Sequence, residues 1–242
     1  MPDRRHFPAF VAAALLLAIL PAQAQLRELF GAGRDARVVM LFVDLTESVK
    51  ATDVDRIYTP TLRNAVDKLR PGDRFVLAEI SERTLGSFAP ALDLPLPSTG
   101  RSMEDGDALE AGKLRIRGEW RKLVARRARS KATVILDSLN AGSQVLIRDA
   151  RPQKHLVILS DMMEESRAAN FLKAPHADAI IGQRRAKSLL PDLQGVQVFV
   201  AGASAPTTER YVEVQDFWLK YLQAAGAKVD EKTYGRVALT FE

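Results

Sequence analysis

Short apolar runs alternate with longer segments of helical spacing along most of this chain. Four runs are largely apolar on both faces, as expected of strands that helices cover on each side. They are residues 38–43, 75–80, 156–159 and 196–201. This alternation predicts an α/β fold of three layers, Rossmann-like, with a doubly wound and mostly parallel sheet. Alternating apolar residues at 237–241 predict a last strand at the sheet edge.

Apolar residues three and four positions apart predict the helices between these strands. The first follows a Thr59-Pro60 pair that suits a helix start. Further helices are predicted at 133–147, 179–190 and 211–225. Three prolines make 85–97 an irregular edge hairpin or loop, and the polar residues 98–106 also predict a loop.

The first 24 residues are typical of a cleaved export signal. A basic start at Arg4 and Arg5 precedes an apolar run of about a dozen residues, too short for a bilayer-spanning helix. The small residues Ala22 and Ala24 flank a cleavage site. We therefore predict a signal peptide at 1–24, a linker at 25–36, and one domain at 37–242 that is periplasmic or secreted.

Composition excludes several classes of protein. The chain has no cysteine, so disulfides, thiolate nucleophiles and Cys-ligated zinc are ruled out. A net charge of +5 without a lysine-rich tail does not indicate nucleic-acid binding. The hydrophobic fraction of 47% is enough for one sizeable core.

One segment, 113–131, is unusually basic, with a single acid, Glu119. Interspersed apolar residues predict an amphipathic helix on the sheet, whose basic face is either simply solvated or a docking surface. Candidate contacts for a protein partner are Arg121, Arg126 and Arg127. An acidic protein or anionic lipid headgroups would suit such a surface, although membrane contact is not predicted.

Candidate chemistry lies at the end of the first predicted strand, where Asp44, Thr46 and Ser48 occupy alternate positions. Ligands gather at the carboxyl ends of strands in open parallel sheets, so these side chains can converge on one point. Carboxylate and hydroxyl oxygens suit Mg²⁺ or Ca²⁺ and, without cysteine or clustered histidine, do not suit zinc or copper.

These residues resemble the von Willebrand factor A (VWA) family, whose metal-ion-dependent adhesion site (MIDAS) opens with Asp-x-Ser/Thr-x-Ser after the first strand. Thr133 is similar to the family's Thr before a later helix, with Ser130 as an alternative. Asp161, after the strand 156–159 and Ser160, is similar to its second Asp. The chain departs from the family at Met162, where Gly is common, and in the basic insertion before Thr133.

The resemblance implies how these five residues would bind a cation. Thr46 and Ser48 would ligate directly, Thr133 would ligate in the partner-bound form, and Asp44 and Asp161 would act directly or through water. An open coordination position would accept a carboxylate from a protein partner. The implied function is a binding module without catalytic turnover, with Mg²⁺ or Ca²⁺ as its ion.

Two other interpretations remain in view. A metal-free scaffold would bind through the basic segment instead. A Mg²⁺-dependent phosphatase would use Asp44 as nucleophile, but its acid/base Asp two residues later is replaced by Thr46, which cannot transfer protons near neutral pH. The isolated His155 and His176 are interpreted as structural.

Overall fold

The computed structural model describes residues 36–80, 88–126, 132–173 and 175–239. The predicted signal peptide and nearly all of the predicted linker lie outside these ranges, as do Arg127 and Ser130. Across the described ranges six strands form one sheet in the order β3-β2-β1-β4-β5-β6. They are β1 (Arg37–Val43), β2 (Arg74–Glu79), β3 (Leu92–Pro95), β4 (Gln153–Leu159), β5 (Gln197–Ala201) and β6 (Tyr234–Gly235).

The sheet is parallel except at one edge, where β3 pairs antiparallel with β2. β1 lies centrally, and its last residue, Val43, is level with Glu79 of β2 and Leu159 of β4. Residues that follow these three strands therefore emerge side by side at one edge of the sheet, called here the carboxyl edge.

Helices cover both faces of the sheet. They are α1 (Thr59–Asp67), α2 (Ser102–Arg126), α3 (Ile135–Arg148), α4 (Ala177–Ala186) and α5 (Thr208–Ala224). Two helical turns, Ala51–Asp53 and the wider Val54–Tyr58, lead into α1. One apolar core packs α1 and α2 against the sheet, and the other packs α3, α4 and α5 against the opposite face. This confirms the predicted three-layer, doubly wound α/β fold.

Central strands are buried on both faces, which explains their continuous apolar sequence. Val38 through Val43 are between 0% and 5% exposed. Trp218 and Tyr221 of α5 are fully buried in the core. No described helix combines the length and apolar character that a membrane span requires.

Three predicted element boundaries are wrong. The last strand is β6, which pairs parallel with β5, whereas residues 237–239 are irregular and 240–242 lie outside the described residues. The predicted loop 98–106 gives way to helix α2 at Ser102, where Asp105 in the first turn accepts hydrogen bonds from the backbone N–H groups of Thr99 and Gly100 and so ties the preceding loop to the helix. The acidic pair Glu164-Glu165, a pattern that predicts a helix start after Asp161, instead lies in an irregular loop.

Candidate functional site

The site begins where β1 ends, at Asp44. Its backbone N–H donates to the carbonyl of Leu159 at 2.8 Å, so the pairing of β1 with β4 continues one residue beyond the strand. The Asp44 side chain is fully buried. A carboxylate in this position is held by the sheet itself and has little freedom to reorient.

Hydrogen bonds occupy both oxygens of the Asp44 carboxylate. Oδ1 accepts from the Thr46 backbone N–H at 3.0 Å and from the Thr46 hydroxyl at 2.6 Å, which closes a turn of the kind that Asp favours. Oδ2 accepts from the hydroxyl of Ser160, the residue after β4, at 2.8 Å. Asp44 thereby joins the loops that follow two adjacent strands.

Thr46 is the centre of a cluster of hydroxyl groups. Its Oγ1 lies 3.1 Å from Ser48 Oγ and 3.1 Å from Thr133 Oγ1, although Thr133 is 87 residues away in sequence. Thr46 and Thr133 are each 2% exposed, whereas Ser48 lies at the surface. Three hydroxyls and one carboxylate thus meet at the carboxyl edge, opening toward solvent at Ser48.

Asp161 completes the cluster. It hydrogen-bonds to Ser48 through its side chain, and its Oδ1 accepts from the Met163 backbone N–H at 2.9 Å. Burial, with the charge of Asp44 acting in the same direction, raises the pKa of Asp161 to about 7. All five side chains named from the sequence, Asp44, Thr46, Ser48, Thr133 and Asp161, are therefore joined by direct contacts.

The composition of this cluster fits a small divalent cation. In buried surroundings each of the two carboxylates disfavours the ionised form of the other, and a cation between them would offset this repulsion. Carboxylate and hydroxyl oxygens are the hard ligands that Mg²⁺ and Ca²⁺ prefer. Within the described ranges no group of three or more His, Cys, Asp or Glu side chains is arranged around a point, so any cation here would depend on the hydroxyls as well.

Met162 takes a strained backbone conformation beside the cluster. Its φ of 66° lies in the left-handed region, which glycine adopts far more readily than a residue with a side chain. Two bonds stabilise this conformation: Met162 N–H donates to Ser160 Oγ at 2.9 Å, and Trp218 Nε1 donates to Met162 O at 2.8 Å. The chain thus accommodates Met162 through contacts with α5.

Sequence reasoning missed the role of Glu164. Its Oε2 accepts from the backbone N–H groups of Ile135 at 2.7 Å and Leu136 at 3.0 Å, at the start of α3. The residue before α3 is Val134, which has no side-chain acceptor, so the helix start required an acceptor from elsewhere. Burial raises the pKa of Glu164 to about 7. Glu164 attaches the loop that carries Thr133 to the loop that carries Asp161.

A third carboxylate, Glu79, borders the site at the end of β2. Burial raises the pKa of Glu79, the positive charge of Arg126 lowers it, and the charge of Asp44 raises it. Glu79 is paired in register with Val43, the residue before Asp44. The negative charge of Glu79 therefore acts on the site, and the positive charge of Arg126 offsets it.

The predicted partner-binding residues lie on the last turns of α2. Arg121 and Arg126 are exposed to solvent, and Arg127 is outside the described residues. His155 lies in β4 with its ring 5.9 Å from that of Phe199, and burial lowers the pKa of His155. His176 precedes α4, away from β4 in sequence.

By sequence, the chain matches no family model and no curated protein. Solved structures of similar shape include a mutant of the PilB minor pilin of Streptococcus sanguinis, which is 12% identical with a TM-score of 0.50. That comparison covers 83% of this chain and 59% of the pilin.

Two further structures are less similar in shape. Manganese-loaded TRAP protein of Plasmodium vivax is 13% identical with a TM-score of 0.43, over 83% of this chain and 68% of that protein. A von Willebrand factor type A protein of Catenulispora acidiphila is 14% identical with a TM-score of 0.38, over 81% and 44%. At such identities the likeness is one of fold alone.

Proposed function

We propose that this protein is a binding module that holds a divalent cation, Mg²⁺ or Ca²⁺, and uses it to engage a protein partner. The single observation that carries the proposal is the convergence of Asp44, Ser48 and Thr133 on the Thr46 hydroxyl, together with Asp161. These side chains come from three separate stretches of chain, and a resemblance to the VWA family had named all of them in advance.

The VWA resemblance implies a role for each of the five residues in binding the cation. Thr46 and Ser48 would supply direct hydroxyl ligands, and Thr133 would join them when a partner is bound. Asp44 and Asp161 would act directly or through water. The five side chains would not complete the coordination of the cation, so an open position would accept a carboxylate from the partner.

Binding without turnover is the better interpretation of Asp44. In a phosphatase the equivalent carboxylate must be free to attack phosphorus, with a second acid two residues later. Here both Asp44 oxygens accept hydrogen bonds from Thr46 and Ser160. Thr46 therefore orients Asp44 and supplies no proton-transfer group near neutral pH.

Calorimetric titration of residues 25–242 with Mg²⁺ and Ca²⁺ tests the cation. We expect saturable binding that Asp44→Asn abolishes. Glu47→Gln is the matched control, because Glu47 is an exposed acid on the same loop. Retained binding in Asp44→Asn, or equal loss in Glu47→Gln, would overturn the assignment.

The predicted signal peptide places this function outside the cytoplasm, in the bacterial envelope or medium. Intact-mass measurement of the protein recovered from the periplasm of a bacterial expression host tests this, with a mature chain beginning at Gln25 as the expected result. Recovery of the full-length chain from the cytoplasm alone would contradict it.

The second candidate, a metal-free scaffold that binds through its basic helix, is favoured by the exposure of Arg121 and Arg126. Charge reversal at these two residues would then abolish partner binding that Asp44→Asn leaves intact. Whether the cation site and the basic helix are separate binding sites depends on where α2 lies relative to the Thr46 cluster.

A further inference from the structure

Charge is distributed unevenly along α2. Its first turns carry the acids Glu104, Asp105, Asp107 and Glu110, and its second half carries the bases. A helix dipole favours acids near the start and a base in the last turn, which accounts for Arg126. It does not account for Arg115 and Arg121, which are exposed well before the last turn. The basic half of α2 therefore needs another explanation.

Two contacts with α1 fix the direction of α2. Arg117 Nη2 donates to Asp67 Oδ1 at 2.6 Å, at the end of α1, and Trp120 Nε1 donates to Thr59 Oγ1 at 3.1 Å, at its beginning. Because the helical turns Ala51–Asp53 and Val54–Tyr58 connect the Asp44 loop to the start of α1, α2 runs toward that loop as it proceeds from Arg117 to Arg126. The basic half of α2 thus ends at the carboxyl edge.

Chain connectivity limits how far the end of α2 lies from the cluster. Thr133 follows Arg126 by seven residues, and seven residues span at most about 25 Å. The charge of Arg126 also acts on Glu79, a neighbour of Asp44. The last two turns of α2 therefore border the cluster.

The bases in these turns are available for a partner. Several bases of α2 are already paired: Lys113 with Glu110, Arg117 with Asp67 and Lys122 with Glu119. In the described part of the chain, Arg121 and Arg126 form no such ion pair. Two exposed guanidinium groups beside a cluster of oxygen ligands match a partner that is rich in carboxylates.

We propose that the partner segment is a run of acidic residues, with one carboxylate completing the coordination of the cation and neighbouring carboxylates contacting Arg121 and Arg126. This inference rests on the proposed cation site. In an extended segment, which rises about 3.3 Å per residue, the two kinds of acid lie within about seven residues of each other. The basic end of α2 thereby selects acidic segments over single carboxylates.

Two blocked synthetic peptides of equal length test the proposal. Both have a Gly-Ser background with one central Asp, and one also carries four Glu residues on one side of it. Fluorescence anisotropy would measure their binding to residues 25–242 in Mg²⁺ and in chelator. We expect the acid-rich peptide to bind at least about tenfold more tightly in Mg²⁺, with an advantage that salt weakens.

Charge reversal supplies the decisive comparison. The double variant Arg121→Glu/Arg126→Glu should lose the roughly tenfold advantage of the acid-rich peptide while still binding Mg²⁺ in calorimetry. The control Arg148→Glu/Arg185→Glu, which reverses two exposed charges elsewhere, should keep the advantage. Equal affinity for the two peptides, or equal losses in both double variants, would overturn the proposal.

The remaining outcomes separate this inference from the proposed function. If the calorimeter shows no cation binding, the cation site fails and this inference fails with it. If cations bind but the acid-rich peptide binds equally well in chelator, no peptide carboxylate completes the coordination, so this inference fails while the cation site stands. Binding of phosphatidylglycerol vesicles that disappears in Arg121→Glu/Arg126→Glu, without peptide selectivity, would assign the basic end to a lipid surface and overturn it.

Discussion

At the scale of single residues, Thr46 is the group on which the site depends. Its hydroxyl contacts Asp44, Ser48 and Thr133 at once, and its side chain is 2% exposed. Valine has nearly the same shape without the hydroxyl. We expect Thr46→Val to abolish Mg²⁺ binding in calorimetry and to lower the free energy of unfolding by about 1–3 kcal/mol, because buried polar partners lose a hydrogen bond.

Thr46→Ser is the control for that experiment, since it keeps the hydroxyl and removes a methyl group. Urea unfolding should place the Ser variant between the unmodified protein and Thr46→Val, with cation binding retained. Mg²⁺ binding by Thr46→Val at unmodified affinity would show that the Thr46 hydroxyl is no ligand.

Residues placed at strand ends were predictable from the sequence, but residues that act through distant backbone groups were not. Asp44 and Asp161 each follow an apolar run, so the position of their carboxylates follows from the parallel sheet. Glu164 accepts backbone hydrogen bonds at the start of α3, and Glu79 adds a carboxylate at the edge of the site. The role of each depends on which loops meet, and no spacing within the sequence encodes that contact.

At the scale of elements, α3 packs closely on the central strand through Gly142. A Cβ atom there would lie 2.6 Å from ring atoms of Phe42 and 3.0 Å from the sulfur of Met40, both in β1. Ala is the better helix former, yet we expect Gly142→Ala to lower the free energy of unfolding by about 1–3 kcal/mol through overpacking.

Gly118, in the interior of α2, provides the matched control. No atom lies within 4 Å of a Cβ placed there, so Gly118→Ala should raise the free energy of unfolding by about 0.5–1 kcal/mol. Thermal and urea unfolding of the two variants measure the difference. Equal stabilisation by both substitutions would contradict the close contact between α3 and β1.

Apolar spacing predicts the central elements of the fold but not its edges. Central strands and most helices follow from apolar spacing, because burial imposes that spacing directly. The edges do not: β6 has only two residues, Tyr234–Gly235, and its neighbour 237–239 alternates in sequence without pairing. At the polar start of α2, the carboxylate of Asp105 accepts a hydrogen bond from the Thr99 backbone N–H in the preceding loop. Helix propensity alone does not predict this contact.

At the scale of the whole molecule, strand order explains why the site could be assembled from distant segments. β1 lies between β2 and β4, and their ends are level at Val43, Glu79 and Leu159. The order of a doubly wound sheet follows from right-handed crossovers. The position of α2 on the face of the sheet does not follow from this rule. The sequence alone therefore left the basic end of α2 and the strand-end site as alternative binding surfaces.

Global stability should vary with pH through Glu164, whose pKa is raised from 4.5 to about 7 by burial. Between these values the folded protein binds a proton that the unfolded chain has released, so folding loses stability as pH rises through this window. Glu164→Gln carries no charge at any pH. We therefore expect the unmodified protein to lose stability relative to Glu164→Gln, on the order of 3 kcal/mol, as pH rises from about 4.5 to above about 7.

Urea unfolding of both proteins across that pH range, in chelator, gives the difference directly. Glu231→Gln is the control, because Glu231 is an exposed acid far from α3 in sequence and its curve should run parallel to that of the unmodified protein. Taking differences cancels the contribution of Asp161, which is present in all three proteins. Parallel curves for the unmodified protein and Glu164→Gln would mean that Glu164 is already ionised without cost in the folded state, which would contradict its raised pKa.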